Sequence, residues 1–132
     1  MELLRLNTPR YFAPEEAADL EAYLDHHIEW YFVIEKEGRI IGSGGVNFTE
    51  DGRTGKISWD LLHPHFHGKG YGRKLTEYRL RKLRALQNIQ IISVRTSQHV
   101  FRFYEKMGFE LKEVMEDYWA PGFDLYRMQQ EA

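Results

Sequence analysis

Between Leu61 and Leu75 the sequence reads LLHPHFHGKGYGRKL, with glycine at positions 68, 70 and 72. An apolar, strand-like run precedes this segment and an amphipathic run follows it, so it reads as strand, turn and helix. Glycine lets backbone N–H groups converge on one point with no Cβ in the way. The helix start adds its own unsatisfied N–H groups and a positive dipole end. The joint is an anion cradle of a size that suits a pyrophosphate. From Lys69 to Arg84 there are seven Lys/Arg and one acid, Glu77. At Lys69 and Arg73 that charge flanks the cradle; at Arg81 and Arg84 it reads as a solvated helix face. The GxxxxGK[ST] spacing is missing. The preceding strand closes an antiparallel run, and no acid ends the following strand, which argues against a dinucleotide fingerprint.

The rest of the chain frames this joint. Met1–Leu6 alternates weakly and reads as a short first strand. Pro14-Glu15-Glu16 reads as a helix start. Ala17, Leu20, Leu24 and Ile28 carry that helix to about His27, with His26 and His27 suiting its negative end. WYFVIE (30–35), RIIGSGGVNF (39–48) and KISWDLLH (56–63) read as strands, the first two joined by a Glu37-Gly38 hairpin turn. Pro64 ends the third. A long helix is predicted from about Gly70 to Leu86, then a strand, Ile89–Thr96. A helix follows that Ser97 caps and Gly108 ends, with Val100, Phe101, Tyr104 and Met107 on one face. Phe109–Tyr118 and Phe123–Gln129 close the chain as strands. The fold class is α/β (α+β), one domain over residues 1–132, with a mixed, mostly antiparallel sheet and helices on both faces.

With 132 residues, 42% hydrophobic and 29% charged, the chain can hold a core of its own. A net charge of −2 speaks against a chain-wide nucleic-acid footprint. The absence of cysteine excludes disulfides, a thiol nucleophile and thiolate metal sites. His63, His65 and His67 alternate, but no cysteine or well-placed acid completes a zinc set, so no metal is expected. No stretch approaches the ~20 apolar residues of a membrane span. The expected location is cytoplasmic.

At this point the residues resemble the GNAT superfamily of acyl-CoA-dependent N-acetyltransferases. That family's Arg/Gln-x-x-Gly-x-Gly/Ala motif is similar to His67-Gly68-Lys69-Gly70-Tyr71-Gly72, preceded by His63-Pro64-His65-Phe66. Its Asn-x-x-Ala-x-x-Phe-Tyr-Glu-Lys-x-Gly-Phe motif is similar to the run Ser97 to Phe109, with Phe103-Tyr104-Glu105-Lys106 at its centre. His67 stands where the family has Arg or Gln, and Ser97 where it often has Asn. The resemblance covers about residues 30–118. It implies the acyl-CoA N-acyltransferase fold, with a splayed parallel strand pair formed by Leu61–His63 and Ile91–Arg95. It implies that amides from Gly68 through Lys69, Gly70, Tyr71 and Gly72 to Arg73 hold the pyrophosphate of acetyl-CoA, the co-substrate. Leu61, Leu62 and His63 would pair with the pantetheine arm, and the N–H near Leu62 would stabilise the developing oxyanion.

Direct acetyl transfer needs a base for the amine and an acid for the leaving thiolate, each worth about 10²–10⁴-fold. By resemblance Tyr104 is the acid; by helical spacing alone it is a core tyrosine. Residues two apart on a strand share a face, so if Leu62 faces the acetyl group, Asp60, Ser58 and Lys56 do too. Asp60 in an apolar strand is the candidate base or amine-binding group, with an ion pair to a neighbour as the other reading. Trp30, Tyr118 and Trp119, with Tyr31, Phe123 and the acids Glu116, Asp117 and Asp124 near in sequence, suit a pocket for a cationic amine of a small molecule or peptide. The same aromatics suit a core or a homodimer interface. The alternative function is a CoA-binding regulatory module with little turnover.

Overall fold

The computed structural model describes residues 2–8, 13–26 and 29–132. The side chain of His26, and all of His27 and Ile28, lie outside the described part. Two helices come first, α1 (Glu2–Leu6) and α2 (Glu16–His26). Strands β1 (Trp30–Lys36), β2 (Arg39–Phe48) and β3 (Thr54–Leu62) follow, then a 3-10 turn at Pro64–Phe66 and helix α3 (Tyr71–Arg84). The chain ends β4 (Ile91–Thr96), α4 (Phe101–Lys106), β5 (Glu110–Ala120) and β6 (Phe123–Glu131). The alternation of Met1–Leu6 reads as a strand; Met1 lies outside the described residues, and over Glu2–Leu6 the structure has a helix. The segment holds no β-branched residue, leucine favours helix, and Glu2 sits in the first turn, where the dipole favours an acid.

The six strands form one sheet in the order β1-β2-β3-β4-β6-β5. Only β3 and β4 run parallel. Glu37 and Gly38 both have positive φ, the turn geometry that matches strand twist in a two-residue hairpin, and Lys36 pairs with Arg39 across it. On one face α3 and α4 bury Val46, Ile57, Leu80, Leu83, Ile92, Val94 and Met128. On the other, α1 and α2 bury Leu4, Leu20, Tyr23 and Leu61, with Trp59 against them. The buried face of α2 is Glu16, Leu20 and Tyr23, while Ala17 is exposed; the helix is rotated from the face its alanine and leucines mark. No described helix is long and apolar enough to cross a membrane.

Two irregularities place the site. First, β3 and β4 pair only over Thr54–Ile57 with Ile91–Val94. Beyond that point β3 runs on to Leu62 and β4 to Thr96 without pairing to each other, which opens the sheet from within. Second, β3 carries a bulge. Gly45 pairs with Ser58 and Ser43 with Leu61, so Trp59 and Asp60 together oppose Gly44 alone. Trp59 takes the extra step at φ 52°. Its ring and Ser58 therefore both lie toward α2, and alternation restarts with Asp60 and Leu62 toward α3. This corrects the expectation of a common face: Asp60 and Leu62 share one, but Ser58 and Lys56 do not join them.

Candidate active site

The opened strands bound a cavity of about 800 Å³. Asp60, Leu61, Leu62, His67, Gly68, Gly70, Gly72, Arg73, Ser97, Tyr104 and Trp119 all line it, so the two motifs meet there although about thirty residues separate them. The N–H of His63 donates to the carbonyl of Ile41 at 2.7 Å. By antiparallel alternation the N–H and C=O of Leu62 then point away from β2, into the gap. The Leu62 carbonyl is taken there by Nδ2 of Asn7 and Nε2 of His67, each at 2.9 Å. His67 thus meets the end of the strand that precedes the loop.

At the glycine loop, Gly68 (φ 75°) and Gly70 (φ 85°) hold a left-handed backbone, and an added Cβ at either would meet no atom within 4 Å. The space above them is open; the glycines serve the conformation. Gly70 caps α3 without any side-chain bond. Among the described residues none accepts from the backbone N–H groups of Gly68 through Arg73. Gly68, Gly70, Gly72 and Arg73 line the cavity, and with them unengaged amides and a helix N-terminus without an acid in its first turn come to its edge, the requirement for holding a diphosphate. Lys69 adds its charge beside Phe66, its Nζ 5.6 Å from the ring centre. Arg73 pairs with Glu77 at 2.8 Å on the exposed side of α3. Tyr71 turns outward, its hydroxyl accepting from Lys36 at 3.0 Å.

Helix α4 delivers Tyr104. The N–H of Phe109 donates to the carbonyl of Tyr104 and that of Gly108 to Glu105, both at 3.1 Å, with Gly108 at φ 95°. This is a Schellman stop, and its apolar contact is the Phe109 ring against Tyr104 itself, 5.8 Å between centres. The cap of the helix therefore fixes the tyrosine. Ser97 accepts from the N–H of His99 through its hydroxyl and from Val100 and Phe101 through its carbonyl.

Tyr104 donates its hydroxyl to Oδ2 of Asp60. Oδ1 of the same carboxylate forms an ion pair with Nη1 of Arg79 at 2.5 Å, and that nitrogen donates to the carbonyl of Gly45 at 3.1 Å. Arg79 is fully buried and Tyr104 is 4% exposed. Burial first, then the negative charge of Asp60, holds the Tyr104 phenol well above the ordinary tyrosine range. The phenol stays protonated at any working pH.

Arg79 is the residue that sequence reasoning passed over. It lies among the charges of a basic helix, yet Leu75, Arg79 and Leu83 are four apart on one stripe, and an arginine on an apolar stripe is a signal. On the α2 side of the cavity, Tyr23 and Glu16 were also missed. Tyr23 is buried on the α2 face, and burial pushes its phenol above the ordinary tyrosine range. Burial raises the Glu16 carboxyl, although it accepts from the N–H of Ala13 at 2.7 Å.

Of the aromatic candidates, Trp119 reaches the cavity and Trp30 and Tyr118 do not. Trp119 lines the cavity and donates to the carbonyl of Thr96 at 3.1 Å. Trp30 packs edge-on against Phe48, 5.0 Å between centres, on the core face of α3. Tyr118 is exposed, with Arg95 over its ring. Asp117 and Asp124 accept from the backbone N–H groups of Gly122 and Asp117 and close the β5–β6 turn. Among the described residues no three His, Asp or Glu side chains converge as a metal site. The side chain of His63, buried under the 3-10 turn, accepts from the N–H of His65 at Nδ1 and faces Arg39 at Nε2.

The sequence profile of the acetyltransferase (GNAT) family matches residues 1–109. The acetyltransferase YE1169 of Yersinia enterocolitica is 31% identical over 101 residues, which span 74% of this chain and 69% of the relative. A Desulfovibrio desulfuricans protein described as an acetyltransferase of the GNAT family superposes with a TM-score of 0.78 at 22% identity, over 98% of this chain and 88% of that one. A GNAT family acetyltransferase from Elizabethkingia anophelis, solved with acetyl-CoA bound, superposes with a TM-score of 0.74 at 17% identity, over 91% and 86% of the two chains. Profile, relative and fold agree with the two motifs that meet at the split in the sheet, and the chain belongs to the acetyltransferase (GNAT) family.

Proposed function

We propose that this chain transfers the acetyl group of acetyl-CoA directly to a primary amine of a small molecule or peptide, within a ternary complex. The observation that carries the proposal is the run of unengaged amides from Gly68 to Arg73, of which Gly68, Gly70, Gly72 and Arg73 line the cavity at the gap between β3 and β4. Loop and gap suit acetyl-CoA: the amides match a diphosphate, and a cavity of about 800 Å³ has room for a pantetheine arm. The Elizabethkingia protein of the same fold holds acetyl-CoA, which supports the choice of donor.

Acetyl-CoA would supply an activated carbonyl. The residues do the rest. The Leu62 N–H, turned into the gap, stabilises the oxygen that gains charge, an effect worth about 10²-fold or more. Tyr104 gives a proton to the departing sulfur, and its raised pKa keeps that proton available. Asp60 receives the proton of the attacking amine. Trp119 and Ser97 bound the cavity beside them. The amine acceptor enters from the side of α2, where Trp59, Tyr23 and Glu16 form the wall.

Incubation with acetyl-CoA and a panel of primary amines tests this, with release of CoA thiol and the mass of the product as readouts. Acetylated product from at least one amine is expected. Tight acetyl-CoA binding with no thiol release would instead fit a CoA-binding regulatory module. Absence of both would remove the cradle from the argument.

A further inference from the structure

Acid and base in this site touch each other. Oδ2 of Asp60 accepts the hydrogen of Tyr104. Oδ1 is closed to solvent and paired with Arg79. About a fifth of the Asp60 side chain is exposed, and it lies on the face of β3 that Leu62 shares. A proton that reaches Asp60 from the cavity can therefore land only on the oxygen that already holds Tyr104. We infer that Asp60 and Tyr104 work as one proton relay, in which the proton taken from the amine replaces the proton that Tyr104 delivers to sulfur.

The inference rests on the transfer reaction proposed above and deepens it. The balance is complete. The lone pair of a neutral amine forms the C–N bond, and the C–S bond breaks with its electron pair on sulfur. Tyr104 gives its proton to that sulfur. Asp60 takes one proton from the nitrogen, which reverses its hydrogen bond with Tyr104: the carboxyl now donates to the phenol oxygen, the phenol hydrogen is released to the sulfur, and the proton from nitrogen passes to the Tyr104 oxygen. Both side chains end as they began, and the products are an amide and a thiol. Arg79 is a positioning residue: by holding Oδ1 and the Gly45 carbonyl it fixes which oxygen faces Tyr104.

Residues that act as a unit lose activity together. In single turnover, Tyr104→Phe and Asp60→Asn are each expected to slow acetyl transfer about 10²–10⁴-fold, and the double variant no more than the slower single. Acetyl-CoA affinity, measured by titration, should stay within about threefold of the unsubstituted enzyme in all three, since the glycine loop is untouched. Losses that multiply in the double variant would overturn the relay while leaving the transferase intact. Because Asp60→Asn strands the Arg79 charge, a second measurement uses the unsubstituted enzyme. Its single-turnover rate in mixtures of light and heavy water should curve with deuterium fraction, as two protons in flight require; a straight line overturns the relay. An enzyme that acetylates no amine would overturn both the reaction and the relay.

Discussion

Gly44→Ala should damage both stability and rate, because Gly44 lies where β2 has to make room for a buried ion pair. A Cβ there would come within 2.7 Å of Nη1 of Arg79, 2.8 Å of Oδ1 of Asp60 and 3.0 Å of Cζ of Arg79. Ordinary carbon contacts begin near ~3.5 Å, so the pair has to retreat by about 0.7 Å. Neither end can give freely, since Arg79 is fully buried on α3 and Asp60 is tied to Tyr104. Overpacking of this kind costs about 1–3 kcal/mol. A weakened buried ion pair adds to it, against a gain of about 0.5–1 kcal/mol from replacing glycine in a strand. The net is about 2 kcal/mol, which for a chain of this length lowers the melting temperature by about 8 °C. A shift of that size at Asp60 also takes its oxygen off Tyr104, and acetyl transfer should slow about tenfold or more. Thermal melting and single-turnover acetylation read the two effects. Gly68→Ala is the control for crowding, since its Cβ meets nothing within 4 Å and only its φ of 75° is strained. A Gly44→Ala protein that melts within 2 °C of the parent (about half a kcal/mol) and acetylates at the parent rate would refute the packing argument.

Gly70→Ala, at φ 85° with open space around it, should cost about 1–2 kcal/mol through backbone strain alone and weaken acetyl-CoA binding about tenfold, read by titration calorimetry. Arg79→Met should destabilise by about 3–5 kcal/mol by stranding the Asp60 charge, and adding Asp60→Asn should restore much of the loss in a chemical-denaturation series. His63 is held below the ordinary histidine range, first by burial and then by the charge of Arg39. The unfolded chain then takes up a proton near pH 6.5 while the folded chain does not, so stability falls as pH drops below about 6.5. His63→Gln should flatten that fall, and equal slopes of melting temperature against pH in both proteins would dismiss it.

How far the sequence discloses this molecule depends on whether a feature is local. The Glu37-Gly38 turn, the strand Arg39–Phe48 and the Gly108 stop are each set by residues within about five positions, and each stands where local chemistry puts it. The glycine loop belongs to the same class, because strand, φ and helix start are all encoded in one stretch. Residues 1–6 fail the same test: a single turn gives neither period enough room, and Leu4 is helical because Leu20, Tyr23 and Leu61 offer it a place to pack.

The bulge at Trp59 is the other kind of feature. Nothing in KISWDLL marks a tryptophan for the left-handed region, and strict alternation is the right reading of that run taken alone. What breaks it lies across the sheet. Gly44 and Gly45 read as weak points in a strand, yet Gly44 clears space for Arg79 and Asp60, and Gly45 for the Tyr23 ring. The pair of glycines therefore serves a charge from α3 on one face and a phenol from α2 on the other. Asp60 joins them: the ion pair and the hydrogen bond to Tyr104 need its carboxylate on the α3 face, and the extra residue at Trp59 is how β3 delivers it there while Leu62 still presents its N–H to the gap. Sequence reading took the ion pair and the catalytic role of Asp60 as rival explanations. With one oxygen on Arg79 and the other on Tyr104 the two are compatible, because the pair that neutralises the buried charge leaves the second oxygen to Tyr104.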